Sequence, residues 1–426
     1  MNIAVINGSP KGEISVTVQY VKFIQKKFPQ HNLKLFNVSH DILKLEKDPG
    51  QFQNIIDQVR KADGVMWAFP LYVFLVPSQY KRFIEMIWEN GVQDAFKDKY
   101  ACVITTSVHF FDHTANNYMR GICEDLGMKF TEYFSADMDE LFVDARRKVL
   151  LKWADEFFSA IEFGTPVGKL NAPIVHSKFA YKPGKAAGNV ETRGKKIVVI
   201  ADIEDAKSNL AKMVDRFASS FTDKVEVFNV RDIDIKGGCL GCIQCGFDNV
   251  CIYSDKDDFM NFFNSHMRDN DAVIFAGTVK DRYFSSRLKM FWDRSFFNGH
   301  IPLQIDKQIG FIVSGKIVRI GSLEELMREH CTGTVLELAL NARGRELAEV
   351  VRERFPACAI ECADEHRIRL ASPGPIELLP LLGSLTEHGA TVTEARMVKP
   401  TLEEVFVRIT GIESGVMRQE REGRKG

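Results

Sequence analysis

The chain has 426 residues, of which 27% are charged, and its formal net charge is -1. This length predicts two or three compact domains, and the near-zero net charge excludes a strong general attraction to nucleic acid. The sequence has no secretory signal pattern at its start, and its longest apolar run, residues 65–76, is interrupted by Pro70 and is too short to span a bilayer. We therefore expect a cytoplasmic protein with no direct membrane insertion.

Short apolar strands alternate with amphipathic helices through residues 1–163. The predicted strands are IAVIN, LKLFNV, GVMWAF, ACVITT and KFTEYF. The predicted helices lie near residues 15–27, 51–61, 78–88, 115–126 and 141–163. Apolar strands separated by helices of this length favour a parallel sheet covered on both faces. The sequence therefore predicts an α/β, doubly wound domain over residues 1–163.

A linker rich in Gly, Pro, Ala and Lys follows at residues 164–194, and the pattern then restarts. Residues 195–315 repeat the order of the first domain, with the strands KKIVVIAD, VEVFNV, DAVIFAG and KQIGFIVSG. The segments PSQYKRF (77–83) and SSRLKMF (285–291) also correspond. We interpret this as an internal duplication whose second doubly wound sheet is truncated after strand four.

The composition changes at about residue 315. Residues 1–315 contain 28 Lys, 12 Arg and 30 Phe, whereas 316–426 contain 3 Lys, 13 Arg and 2 Phe, which indicates a different origin. Residues 316–411 have a βαββαβ pattern, typical of a small α+β domain, followed by a helix near 402–410. We expect residues 412–426 to be a disordered tail.

The first strand ends in the glycine-containing loop Gly8-Ser9-Pro10-Lys11-Gly12. Open α/β sheets bind ligands at this carboxyl edge, where a helix N-terminus and the hydroxyls of Ser9, Ser15 and Thr17 could hold a phosphate. An ordinary strand-to-helix turn with a capping serine is the alternative.

Two further loops lie at the same edge, Pro70-Leu71-Tyr72-Val73 after strand three and residues 105–109 after strand four. An apolar, aromatic loop beside a polar loop suits a flat heteroaromatic ring, although Tyr72 could equally serve only in packing. The nearby His109, Asp112 and His113 have no partner identifiable from the sequence. An incidental role is therefore favoured for them over a catalytic one, and no catalytic residue is assigned.

Four of the nine cysteines cluster as Cys239-x2-Cys242-x2-Cys245-x5-Cys251, after the second strand of the second repeat. Cytosolic clusters of this kind indicate metal or redox chemistry rather than disulfides. Three cysteines at x2, x2 spacing in one loop favour a 4Fe-4S cluster. A zinc site and free structural thiols are the alternatives.

The segments NGSPKGEISVT, AFPLYVFLVPSQYKRFIE and TTSVHFFDH resemble the flavin-contacting loops of the NADPH-dependent FMN reductase and iron-sulfur flavoprotein family. The resemblance covers residues 1–315 as a tandem and implies flavodoxin-like sheets of order 2-1-3-4-5. It implies that one set of residues binds the FMN phosphate and that another set binds the isoalloxazine ring. These are Ser9, Lys11, Ser15 and Thr17 for the phosphate, and Pro70, Leu71, Tyr72, Val73, Thr106 and Ser107 for the ring. It also implies a cluster beside the flavin, NAD(P)H as donor, and a homodimer.

The second repeat differs at its own phosphate loop. Asp202, Glu204 and Asp205 place three carboxylates at the position of the first repeat's Gly-Ser-Pro, and these charges should repel a phosphate. We therefore expect FMN in the first repeat and the cluster in the second.

Residues 316–411 carry another resemblance. The segments GKIVRIGSLEEL and PTLEEVF are similar to the closing hairpin and C-terminal accessory domain of ABC transporter ATP-binding subunits. The chain lacks a GxxxxGK[ST] loop, so we expect no ATPase activity.

These observations predict an FMN-dependent oxidoreductase that passes electrons between NAD(P)H, or another small-molecule or protein donor, and an acceptor. One alternative is a non-enzymatic electron carrier or redox sensor. Another is an interaction module associated with an ABC transporter.

Overall fold

The computed structural model describes residues 1–174, 179–186, 188–246, 248–298, 308–313, 316–322, 334–341, 344–356, 358–364, 366–372 and 376–398. The chain divides into two compact units, Met1–Leu303 and Gln304–Gly426. Within the described residues, no helix is both long and apolar enough to cross a membrane.

The first repeat contains a five-stranded parallel sheet of order β2-β1-β3-β4-β5. Its strands are β1 (Asn2–Asn7), β2 (Asn32–Phe36), β3 (Gly64–Pro70), β4 (Tyr100–Thr106) and β5 (Lys129–Ala136). Every residue of β4 is buried, as expected for a central strand with helices on both faces. The predicted doubly wound α/β fold is therefore confirmed for this repeat.

Six helices cover this sheet. They are α1 (Val16–Lys27), α2 (Ile42–Lys47), α3 (Pro49–Lys61), α4 (Ser78–Glu89), α5 (Asp112–Asp125) and α6 (Asp144–Glu162). Alternate residues of β1 enter different apolar clusters, with Ala4 and Ile6 in one and Ile3 and Val5 in the other. Because side chains alternate across a strand, these clusters are the two faces of one sheet.

The second repeat has a smaller sheet. Its elements are β6 (Ile197–Ala201), α7 (Asn209–Ala218), β7 (Glu226–Asn229), α8 (Phe259–His266), β8 (Ala272–Ala276), the hairpin strands β9 (Val279–Lys280) and β10 (Tyr283–Phe284), and α9 (Ser286–Arg294). The three longer strands are parallel, in the order β7-β6-β8.

The prediction of a fourth parallel strand in this repeat is wrong for the described residues. The segment in question, β11 (Gln308–Val313), pairs antiparallel with β12 (Lys316–Ser322) in a separate two-stranded sheet. Only two residues separate these strands in the sequence, and so short a connection favours an antiparallel hairpin over a parallel crossover. Both strands belong to the second compact unit, which begins before the predicted boundary at 315.

The second unit also contains a four-stranded antiparallel sheet of order β14-β15-β13-β16. Its elements are β13 (Thr334–Leu340), α10 (Gly344–Arg354), β14 (Ala359–Asp364), β15 (Arg367–Ser372), α11 (Leu378–Glu387) and β16 (Val392–Val398). Leu338, Val351, Ile368 and Leu381 form the centre of its core. The predicted helix near 402–410 and the predicted tail lie outside the described residues.

The two repeats pack against each other through α4 and α9. Each helix carries the pattern Ser-x2-Lys-x3-acid. The three residues are Ser78, Lys81 and Glu85 in α4, and Ser286, Lys289 and Asp293 in α9. The Ser78 N–H donates to Asp293 of α9, and the Ser286 N–H of α9 donates to Glu85. The carboxylate of each helix therefore caps the first turn of the other helix.

Candidate functional site

The loop after β1 lies at one end of the site and carries the residues predicted to hold a phosphate. The Ser9 hydroxyl accepts a hydrogen bond from the Lys11 N–H (3.3 Å), and Ser15, the N-cap of α1, accepts one from the Val18 N–H (3.3 Å). A hydroxyl that accepts such a bond still has its own proton to donate. The first-turn N–H groups of α1 also lack acceptors inside the helix. The loop therefore presents several donors together, as an anion requires.

Thr17 joins this loop to the loop after β4. Its Oγ1 lies 2.6 Å from Oγ1 of Thr106, and both side chains are buried. The Ser107 hydroxyl accepts from the His109 N–H (3.0 Å), while the Ser107 N–H donates to the Ala136 carbonyl (2.9 Å). The hydroxyls of Thr17, Thr106 and Ser107 are thus fixed at one edge of the sheet.

The loop after β3 is a tight turn. The Tyr72 N–H donates to the Leu75 carbonyl (2.8 Å), and the Leu75 N–H donates back (3.0 Å). Between them, Val73 and Phe74 have positive φ angles of 38° and 68°. Such angles are rare for bulky residues and unfavourable for a β-branched one, so the surrounding structure must hold this turn in place.

These three loops surround one cavity of about 510 Å³, within the size range of small-molecule sites. All ten residues predicted to bind FMN line it, namely Ser9, Lys11, Ser15, Thr17, Pro70, Leu71, Tyr72, Val73, Thr106 and Ser107. The cavity combines a hydroxyl-rich end with an apolar, aromatic wall, and this combination fits a phosphorylated flat heteroaromatic ligand.

The cavity has further lining residues that the sequence did not identify. Several of them form an apolar rim: Val16, Phe74, Val108, Phe110, Met138, Ile243 and Phe296. The others are Cys239, Gly241 and Asp293, which come from the second repeat, as do Ile243 and Phe296 of the rim. The cavity is therefore completed by both repeats, whereas the residues predicted from the sequence all belong to the first repeat.

His109, Asp112 and His113 form a local cluster at the start of α5. Nδ1 of His109 lies 3.1 Å from Asp112, which also accepts from Ser135 Oγ (2.5 Å) and from the His113 N–H (2.9 Å). Burial raises the pKa of Asp112, but these hydrogen bonds outweigh it and hold the pKa below its usual value. These hydrogen bonds tie Asp112 to the start of α5 and to Ser135, and the incidental role favoured from the sequence stays a prediction.

The four clustered cysteines line one small cavity, together with Tyr253, Arg294 and Phe297. All four thiols are free; Cys245 is buried, Cys242 is exposed, and Cys239 and Cys251 are half-buried. Burial raises the pKa of the Cys239 thiol to about 12. Within the described part of the chain, no group of three or more His, Cys, Asp or Glu is arranged to hold a metal ion. Four thiols that line one cavity fit an iron-sulfur cluster in their chemistry. Their sulfur atoms, however, are not arranged as metal ligands.

The cysteine loop packs directly on the first repeat. Nε2 of Gln79 in α4 donates to the Cys239 carbonyl (3.1 Å), and the Gly241 N–H donates to the Cys239 sulfur (3.4 Å). Gly241 has a φ of +63°, and a β-carbon there would overlap the Tyr72 hydroxyl. The loop that carries the cysteines therefore touches the turn that lines the cavity.

The second repeat does not reproduce the phosphate loop. Asp202 is 4% exposed, accepts from Nε of Arg231 (2.7 Å), and is hydrogen-bonded by the Ser285 hydroxyl. A buried carboxylate with these partners occupies the position where the first repeat has Gly8. The expectation that FMN is not held there stays a prediction.

Comparisons with known proteins found a family model, a curated relative and solved structures that are similar to parts of this chain. Residues 1–156 match a family model described as a flavodoxin-like fold. An FMN-dependent NADH:quinone oxidoreductase of Vibrio parahaemolyticus is 32% identical over 107 residues, which are 22% of this chain and 55% of the relative. The chain thus spans about half the length of this curated relative.

Two solved structures are also similar. One is FerB, a flavoenzyme NAD(P)H:(acceptor) oxidoreductase from Paracoccus denitrificans, with 21% identity, a TM-score of 0.31, and coverage of 38% of this chain and 97% of that chain. The other is an FMN-dependent NADH-azoreductase from Bacillus anthracis in complex with FMN, with 15% identity, a TM-score of 0.28, and coverage of 38% and 99%. From the family match and the observed sheet, residues 1–156 have a flavodoxin-like fold.

Proposed function

We propose that this chain is an FMN-dependent oxidoreductase that takes electrons from NAD(P)H, with FMN in the cavity of the first repeat. The observation that carries the proposal is the single cavity of about 510 Å³, lined by all ten residues predicted to bind FMN. The named activity of the Vibrio parahaemolyticus relative, an FMN-dependent NADH:quinone oxidoreductase, supports the same reaction class.

The hydroxyl-rich end of the cavity is assigned to the FMN phosphate. Ser9 and Ser15 keep hydroxyl protons free to donate, and Lys11 supplies a cationic side chain at the same end. The N-terminus of α1 adds a favourable electrostatic contribution for a dianionic group.

The turn around Tyr72 and the loop around Thr106 are assigned to the isoalloxazine ring. Pro70, Leu71 and Val73 provide apolar surface, and the hydroxyls of Thr106 and Ser107 can bond the polar edge of the ring. The apolar rim limits water around the ring and leaves an opening for a flat donor or acceptor. Bound FMN would supply the hydride and electron chemistry, while these residues bind and orient it.

We further propose that Cys239, Cys242, Cys245 and Cys251 hold a 4Fe-4S cluster. Cys239 lines both the cysteine cavity and the flavin cavity, so a cluster on this loop would lie beside the flavin. The Gly241 N–H bond to the Cys239 sulfur is the kind of contact that tunes cluster potentials. A bound cluster would supply one-electron transfer to a small-molecule or protein acceptor.

The test is anaerobic purification followed by an absorption spectrum and quantitation of flavin, iron and sulfide. The expected result is bound FMN together with iron and sulfide, and loss of the flavin absorbance when NADH or NADPH is added. A colourless protein that takes up neither FMN nor reconstituted iron and sulfide would overturn the proposal.

The two cofactor assignments are separated by one pair of variants. Cys242→Ser should lose iron but keep FMN, because Cys242 is outside the set of residues that line the flavin cavity. Cys358→Ser, a free cysteine of the second unit, is the matched control and should keep both cofactors. Equal iron contents in the two variants would contradict the cluster assignment.

The main competing function is a non-enzymatic electron carrier or redox sensor. The same anaerobic sample distinguishes it, because a carrier would hold reducible FMN that NAD(P)H does not bleach.

For residues 316–411, the relationship to ABC transporter accessory domains, without ATPase activity, stays a prediction. Co-purification of this segment with a membrane permease would test it. The homodimer also stays a prediction, and the mass of the purified protein in solution tests it.

A further inference from the structure

The turn from Tyr72 to Leu75 needs support from outside its own residues. It holds Val73 and Phe74 at positive φ, and only two backbone hydrogen bonds close it. A strained turn of this kind persists when neighbouring groups fix it. Because Tyr72 and Val73 line the flavin cavity, whatever fixes the turn also fixes one wall of the site.

Phe74 packs on Phe110 and Phe111 of the first repeat, and a further, charged support of the turn comes from the second repeat. Nζ of Lys289 in α9 donates to the Tyr72 carbonyl (2.9 Å) and is ion-paired with Asp293 one turn further along the helix. The other oxygen of Asp293 accepts from the Ser78 N–H (2.7 Å). Lys289 and Asp293 are both fully buried. Burying an ammonium group is costly even beside a carboxylate, so its second contact, with the Tyr72 carbonyl, points to a specific role.

We propose that Lys289 is a positioning residue for the flavin, which acts from the second repeat by holding the Tyr72 turn of the first repeat in its binding conformation. This inference rests on the proposed function of the cavity. Asp293 orients Lys289 and itself lines the cavity beside the turn. The second repeat would thus control the flavin site even though its own phosphate loop is lost.

The internal duplication provides a matched control. Lys81 and Glu85 of α4 form the corresponding buried pair (2.9 Å), and Glu85 accepts from the Ser286 N–H (2.6 Å). Lys81 faces the corresponding turn of the second repeat, where Asp281 and Arg282 have positive φ angles of 47° and 65°. Lys81 and Glu85 are outside the set of residues that line the flavin cavity. Both pairs are therefore buried lysine–carboxylate pairs that face different turns. Glu85 also lies within 4 Å of Arg82 and Lys280, and Lys81 lies 3.8 Å from Asp281.

The experiment compares two double variants that each remove both charges of a buried lysine–carboxylate pair. Lys289→Met with Asp293→Asn removes the donor to Tyr72, and Lys81→Met with Glu85→Gln removes its counterpart. Thermal unfolding identifies any general loss of stability. The two measurements are the dissociation constant for FMN added to the apoprotein and the hydrogen exchange of the Tyr72 and Leu75 amides without FMN.

For the Lys289 double variant, we expect at least about tenfold weaker FMN binding and about tenfold faster exchange at Tyr72 and Leu75, since a charged donor is lost. The Lys81 double variant should keep wild-type values for both measurements. Equal effects of the two double variants on FMN binding, with unchanged exchange at Tyr72 and Leu75, would overturn the positioning role while leaving the flavin site intact.

If the wild-type protein itself fails to bind FMN, the proposed function is wrong. The exchange measurement still decides the structural part of the inference in that case. Unchanged exchange at Tyr72 and Leu75 in the Lys289 double variant would then refute the support of the turn by Lys289.

Discussion

Gly241 lies directly against the Tyr72 hydroxyl, so closely that any side chain at this position would overlap it. The contact joins the cysteine loop of the second repeat to the turn that lines the flavin cavity of the first. Gly241 also has a φ of +63°, which glycine adopts freely and other residues adopt at a cost. Two independent requirements therefore place glycine here.

Replacing Gly241 by alanine should destabilise the protein and weaken FMN binding. The left-handed conformation alone costs roughly 1–2 kcal/mol for an L-residue, and displacement of the Tyr72 ring adds to this. The measurements are the free energy of unfolding in urea and the FMN dissociation constant.

Gly91→Ala is the matched control for this substitution. Gly91 has a similar φ of +66°, but a β-carbon there would have no neighbour within 4 Å. It should show the conformational cost without any change in FMN affinity. If the two alanine variants bind FMN equally well, the contact between the cysteine loop and the turn has no role in flavin binding.

The buried ion pair between Arg294 and Asp257 should be a major source of stability. Two hydrogen bonds of 2.6 and 3.0 Å join the fully buried side chains, and Arg294 also donates to the Gly237 carbonyl beside the cysteine loop. Asp257→Asn leaves the Arg294 charge unpaired and should lower the free energy of unfolding by about 3–5 kcal/mol. Asp94→Asn, which breaks the exposed pair with Arg60, should change stability little by comparison.

The same carboxylate predicts a pH dependence. Burial raises the pKa of Asp257, but the hydrogen bonds from Arg294 and from the Lys236 and Phe259 N–H groups outweigh it and lower the pKa below its usual value. A depressed pKa in the folded state gives stability that is present above the unfolded-state pKa of about 4 and is lost as the pH falls further. The difference in urea midpoint between wild type and Asp257→Asn should therefore be large at neutral pH and shrink toward pH 3. A constant difference would contradict this assignment.

Much of the flavin cavity was predictable from the sequence, because it depends on topology. Parallel strands place the loops that follow them at one edge of the sheet, so the loops containing Ser9, Tyr72 and Thr106 had to converge. Residue types then indicated a phosphate end and a ring end. The structure brings these residues together around one cavity as this reasoning requires.

The contribution of the second repeat could not be predicted in the same way. Hydrophobic periodicity identifies the buried face of a helix but not the helix that packs on it, so the approach of Asp293 and Gly241 to the cavity was missed. The sequence did contain one indication of this packing, the Lys of each repeated Ser-x2-Lys-x3-acid segment. Lys81 and Lys289 lie on apolar helix faces, and a lysine buried there requires a polar partner. The sequence also predicted β11 as the fourth parallel strand of the second repeat, because the apolar pattern of β11 is that of a buried parallel strand. In the structure, β11 instead forms an antiparallel hairpin with β12.

We expect one FMN per chain rather than two. In the second repeat, Asp202 occupies the position of the phosphate loop and is already paired with Arg231 and Ser285, so a phosphate would meet a buried negative charge. Titration of the apoprotein with FMN, with protein measured by amino-acid analysis, should saturate at one equivalent. Saturation at two equivalents would show that the second repeat retains a flavin site.

Removal of the second compact unit should leave FMN binding unchanged. Every residue that lines the flavin cavity, from Ser9 to Phe296, lies within the first unit, Met1–Leu303. The second unit has a separate core around Leu338 and Leu370, so the first core keeps its own apolar contacts when the second is absent. A chain ending at Leu303 should therefore fold and bind FMN with the affinity of the full chain, as measured by fluorescence quenching on titration. A truncated chain that folds, by its circular dichroism and cooperative unfolding, but binds FMN at least about tenfold more weakly would assign the second unit a direct part in the flavin site.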